Sequence, residues 1–225
     1  MSAQKRMIPL SPVLLVQVAQ ALAGNGEDHP GRSRGRLVHR FLREAGVEGG
    51  AAGGDVPWHT AFVHYAGYWS HFDQRSATSS WPLPISASCH ALALFAAQAG
   101  VLAEHPVEGD LFLLWGPAEK AFIRAGIVVE LDRTGENLNG EPWTKCVTIE
   151  GDTNPVRAAR GGETLRHARL LSAERGDRFV RWTALTAGAR KSVRIDAEVP
   201  DEERDEERDD ERTAALPPDE LRRAA

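Results

Sequence analysis

The chain has 225 residues, 42% hydrophobic and 26% charged, a globular composition that excludes a wholly disordered polymer. Two cysteines are too few for a disulfide framework or a thiolate zinc cage. The net charge of −5 is uneven. Eleven acids and three arginines between Asp196 and Arg212 contribute −8 and residues 213–225 balance, so residues 1–195 carry about +3. That surplus is too weak to argue for nucleic acid, though it tolerates an anionic partner.

The first segment, MSAQKRMIPLSPVLLVQVAQALAG, carries Lys5, Arg6 and a small-x-small Ala19-Gln20-Ala21, as a signal peptide would. Pro9, Pro12, Gln17 and Gln20 interrupt its apolar run. It reads better as a helix with Ser11 as N-cap, Pro12 at the first position, and Leu14, Leu15, Val18 and Leu22 on one stripe. The expected location is cytoplasmic, or outside the cell without a clear signal peptide. No run reaches the ~18 apolar residues of a membrane span.

After a Gly-rich charged loop, RLVHRFLREAG reads as a helix with Leu37, Val38, Phe41 and Leu42 inward and Gly46 at its end. PWHTAFVHYAGYWSHF is an aromatic helix entered through Pro57, and SASCHALALFAAQAG another, capped by Ser86 or Ser88. Beyond residue 106 the pattern shortens into strands: GDLFLLW, AFIRAGIVVEL, KCVTIEGDT and RFVRWTAL. Helices first and strands after predict an α+β domain, N-terminal helices on a small antiparallel sheet, over residues 1–187. Residues 188–225 read as a charged, disordered tail, since DEERDEERDDER has no apolar face.

Four segments in order, HPGRSRGRLVHRFLREAGV, PWHTAFVHYAG, EGDLFLLWG…RAGIVVE and TIEGDTN, together resemble the CHAP family of cysteine- and histidine-dependent amidohydrolase/peptidases. The resemblance covers roughly residues 12–185. It implies a papain-like fold and bacterial peptidoglycan amide bonds as the ancestral substrate. It also implies a thiolate at a helix N-terminus, activated by a His that a third polar group orients. Two positions depart from that pattern. His59 stands where the motif has the nucleophilic Cys, and Arg124 where it has the base. Glu150 is kept, and Asp152 replaces the usual Asn. A guanidinium stays protonated and cannot act as base. The expectation is a catalytically inactive relative that binds peptidoglycan or a protein partner, without a cofactor.

The alternative is a rearranged hydrolase. Cys89, near a helix start, is its candidate nucleophile, although the apolar run after it reads as core. A metal held by His59, His64 or His71 with an acid is disfavoured because the H-E-x-x-H spacing is missing. Trp58 and Trp81 are the candidate binding aromatics, Trp81 standing in a polar loop.

Overall fold

The computed structural model describes residues 10–26, 35–47, 57–73, 78–153 and 162–185. All belong to one compact unit, Met1–Ile195. The acidic tail expected from residue 188 lies outside the described residues.

Helix α1 (Pro12–Leu22) starts as its caps dictate: Ser11 Oγ accepts from the Leu14 N–H, and Pro12 occupies the first turn. Its buried stripe is Leu15 and Ala19, whereas Leu14 faces outward, a rotation of the stripe expected from sequence. Helix α2 (Arg36–Glu44) buries Val38, Phe41 and Leu42 and stops at Gly46, whose φ of +79° suits glycine. Helix α3 (His59–Ser70) is buried on almost every side. A helix apolar all round belongs inside a core, and α3 packs against α1, α2 and the sheet. A two-residue hairpin, β1 (Phe72–Asp73) with β2 (Thr78–Ser79), follows it. In helix α4 (Cys89–Gln98), Ser88 supplies the cap, its Oγ accepting from Ala91 N–H.

The remaining strands are β3 (Leu102–Ala103), β4 (Leu111–Gly116), β5 (Ala121–Glu136), β6 (Pro142–Thr153), β7 (Glu163–Leu171) and β8 (Arg178–Val180). They form one six-stranded antiparallel sheet in the order β3-β8-β4-β5-β6-β7. The fold is α+β, as the order of elements in the chain predicts. Period-two alternation sorts the strand residues. Leu111, Leu113, Ala125, Ile127 and Ile149 meet the helices. Phe112, Val128, Cys146, Leu171 and Phe179 form a second apolar cluster.

Two strand readings need correction. The segment RFVRWTAL pairs only through Val180, then turns into a 3-10 helix, Trp182–Ala184. That turn buries Trp182, whose Nε1–H donates to the Gly109 carbonyl at 2.7 Å. Strand β7 carries no apolar run, so its sequence does not announce it. Among the described residues no helix is long and apolar enough to cross a membrane.

Candidate functional site

The site forms where the N-terminus of α3 meets β5 and the end of β6. Close approach is possible because Gly151 has no side chain: a Cβ there would lie 2.7 Å from Phe62 Cβ and from the Trp58 ring. The next residue, Asp152, has φ +57°. Asp and Asn enter this left-handed region more readily than other side-chain-bearing residues. The turned backbone sends the Asp152 carbonyl to Arg124 Nη1 at 3.0 Å and Asp152 Oδ2 to the Trp58 N–H at 3.4 Å. Asp152 therefore links the entry of α3 to β5.

His59, the first residue of α3, is 6% exposed. Burial first, then the charge of Arg124, lowers its pKa to about 4; Glu150 and the backbone of Ile123 oppose the shift. The imidazole is neutral at pH 7. Glu150 is fully buried and heavily engaged. Arg169 clasps it through two bonds, 2.6 and 2.5 Å, Thr148 Oγ1 donates at 2.7 Å, and Arg124 Nη1 stands 3.9 Å away. Arg169 lies on the unforeseen strand β7, and no motif in the chain signals this partner. The Arg169 pKa is raised, chiefly by that hydrogen bond.

His59, Arg124, Glu150 and Asp152 thus gather in one place, from three elements far apart in the chain. Their chemistry is that of a neutral ring and a compensated ion cluster. Arg124 donates to the Asp152 carbonyl and stands beside Glu150, and Glu150, the carboxylate whose charge reaches His59, is already clasped by Arg169.

Cys89 also comes to this region. It opens α4, and its Sγ lies 3.5 Å from His59 Nδ1 and 3.2 Å from Thr60 Oγ1, which itself lies 3.1 Å from His59 Nδ1. The sulfur is buried as its apolar surroundings predict. Burial pushes the thiol up to about 11, with Thr60 and Arg124 pulling weakly the other way. Two helix N-termini therefore present a thiol and an imidazole to each other, both uncharged. His90, its neighbour in sequence, is exposed.

The other candidates divide. Trp58 is fully buried, with Phe41 at 5.6 Å between ring centroids. It offers no stacking face to solvent, correcting its reading as a binding aromatic. Trp81 is partly buried and lies against α3, where a Cβ on Gly67 would come within 2.1 Å of the indole. His71 does not share a helical face with His64, because it sits past the end of α3. There its Nε2 accepts from the Ser11 N–H at 3.0 Å and Nδ1 meets Ser70 Oγ at 2.6 Å, fastening α1 to α3. Among the described residues no three His, Cys, Asp or Glu side chains are gathered to hold a metal. No family model matches the chain, and neither a curated protein nor a solved structure does.

Proposed function

We propose that this chain is a papain-like, CHAP-type module whose hydrolytic site has been replaced by a structural ion cluster, and that it binds cell-wall peptide or a protein partner without cleaving it. The carrying observation is the meeting of His59, Arg124, Glu150 and Asp152 at the N-terminus of α3. Those are the positions at which the resemblance puts nucleophile, base and orienting groups. A papain-like thiol site needs a thiolate on the helix and a titratable base on the strand. Here the helix offers a neutral imidazole and the strand a permanent cation that donates to the Asp152 carbonyl and stands beside Glu150.

One observation favours a second reading, a thiol hydrolase with its nucleophile transposed to Cys89. Its Sγ lies 3.5 Å from His59 Nδ1. Proton transfer across that contact would create a thiolate and an imidazolium at two helix N-termini. Only the thiolate gains from the helix dipoles, and burial opposes both charges.

Insoluble peptidoglycan sacculi separate the two. The protein is incubated with them, with and without a thiol-alkylating reagent, and pelleted protein and newly released amines are measured. Pelleting without amine release is the expected result. Amine release abolished by alkylation and by Cys89→Ser would replace this reading with the transposed hydrolase. Absence of both pelleting and release would detach the module from the cell wall and leave a protein partner.

A further inference from the structure

The positive surplus of the folded part is not spread over it. Residues 29–43, HPGRSRGRLVHRFLR, hold five arginines and no acid, a local charge of +5. Residues 1–195 together carry about +3, so the remainder of that span is acidic on balance, at about −2. Arg32 and Arg34 lie outside the described residues, and α2 carries the other three arginines.

Helical spacing puts them on one face. Arg36, His39, Arg40 and Arg43 stand at i, i+3, i+4 and i+7, while Val38, Phe41 and Leu42 are turned into the core. Arg36 and Arg43 are exposed, and among the described residues neither has an ion-pair partner. Arg40 meets Glu44 at 3.2 Å. Glu44 offsets one cation of the three, so the face stays at +2.

Arg40 joins this stripe to the aromatic end of α3. Its guanidinium lies over the Trp69 ring, 4.9 Å from the centroid, and the Trp69 Nε1–H donates to Glu44 at 2.9 Å. Trp69 in turn meets Phe72 and Tyr68, with ring centroids 4.8 and 5.6 Å away, and all three rings are half-buried. Unpaired guanidiniums bordered by half-buried aromatics suit the boundary of a lipid bilayer, where phosphates and acyl chains meet. They suit nucleic acid less well. The stripe is roughly 10 Å long, room for two or three phosphates, whereas nucleic-acid binders contact about 6–10. A lipid surface brings headgroups sideways to so small a patch. The net negative charge of the chain does not forbid the contact, because charges farther off than about 8 Å are screened at physiological salt.

We infer that the outer face of α2 is a docking surface for an anionic phospholipid bilayer, on which the molecule lies without spanning it. Arg36 and Arg43 meet headgroup phosphates, which a guanidinium can hold through two bonds. The acidic remainder of residues 1–195 is repelled by the same surface, which orients the molecule with α2 against the lipid. The face is distinct from the His59–Arg124 cluster and does not depend on the cell-wall reading. Lipid-free sacculi test that reading, and vesicles test this one.

The test sediments the full-length protein with vesicles of phosphatidylcholine, alone or mixed with phosphatidylglycerol. The protein should pellet with the mixed vesicles, and at least tenfold more weakly with the neutral ones or in high salt. A basic residue near such a surface is worth about 1 kcal/mol, so the double variant Arg36→Gln, Arg43→Gln should bind about thirtyfold more weakly. The control, Lys120→Gln with Arg133→Gln, removes the same charge from exposed positions in the β4–β5 turn and on β5, and should pellet like the parent. All four positions are exposed, and unchanged thermal melts establish that both variants fold. No pelleting with the mixed vesicles would overturn the inference. Equal weakening in the two double variants would overturn it in favour of net charge alone. Retardation of a DNA oligonucleotide that needs Arg36 and Arg43, without vesicle binding, would give the face to nucleic acid instead.

Discussion

At the level of single residues, the burial of His59 and Cys89 makes stability depend on pH at both ends of the scale. His59 holds its proton less tightly folded, near pH 4, than unfolded, near 6.5. The unfolded chain therefore takes up a proton first as pH falls, and stability drops across that window by about 3 kcal/mol. His64 and His167 are lowered too, mainly by burial, and add to the acid limb with the same sign. Cys89 is raised from 9.0 to about 11, so the unfolded chain loses its proton first as pH rises. Stability then falls between those values, again by about 3 kcal/mol. Urea unfolding as a function of pH should show both limbs. His59→Gln should flatten part of the acid limb, and Cys89→Ala part of the alkaline one, the rest of which belongs to Cys146, pushed up to about 11 by burial. An alkaline limb unchanged in Cys89→Ala would mean the thiol is not held neutral by the fold.

Glu150 makes a prediction of a different kind. Its carboxylate compensates Arg169 and faces Arg124 while fully buried. Glu150→Gln keeps the shape but leaves the guanidinium of Arg169 beside a neutral amide. Removing one member of a buried pair costs about 3–5 kcal/mol. The lower end is expected, because Arg169 retains some exposure through which water screens it. The urea midpoint reads the loss directly.

At the level of elements, helix α3 shows how packing outranks propensity. Alanine is a better helix former than glycine by about 1 kcal/mol. Gly67→Ala should nevertheless destabilise by about 1–3 kcal/mol, since its methyl would enter the Trp81 indole. A thermal melt distinguishes the two signs. The same helix marks how far the sequence could be read. The i, i+3, i+7 spacing of Phe62, Tyr65 and Trp69 reads as a buried stripe, and Phe62 and Tyr65 are buried while Trp69 is half-buried. The Ser11 start of α1, the serine start of α4 and the Gly46 stop of α2 are local chemistry, visible in the chain. Strand β7 was not, because Arg166 and Arg169 find their partners only across strands, in Glu130 and Glu150. Charge balance of that kind has no signature along the chain. The Cys89–His59 contact was equally hidden, since it depends on how two helices cross, and apolar spacing alone marked Cys89 as core.

At the level of the whole molecule, the proposal about the scaffold can be tested by putting the chemistry back. In the double variant His59→Cys, Arg124→His, made in a Cys89→Ala background, the new thiol starts α3 beside an imidazole on β5. If the framework is papain-like, that thiol should be alkylated at pH 7 at least tenfold faster than Cys89 in the parent chain, because helix dipole and imidazole both favour the thiolate. A slow, Cys89-like rate would show that the framework does not aim the two positions at each other.

The sheet has one further property. Strand β5 pairs with β4 only as far as Ile127 in register, yet it runs on to Glu136. From Glu130 onward one side of its backbone has no strand partner among the described residues, a template on which a second molecule could build. That stretch carries Glu130, Asp132, Arg133 and Glu136, and its register with β6 is broken twice, at Val128/Glu130 and Leu131/Arg133. Charges and bulges of this kind are what keep natural sheet edges from adding to one another. Substituting Asp132 and Arg133 by valine would lengthen a smooth, apolar edge already containing Leu131. Light scattering on concentrated samples of that variant should reveal self-association that the parent chain resists.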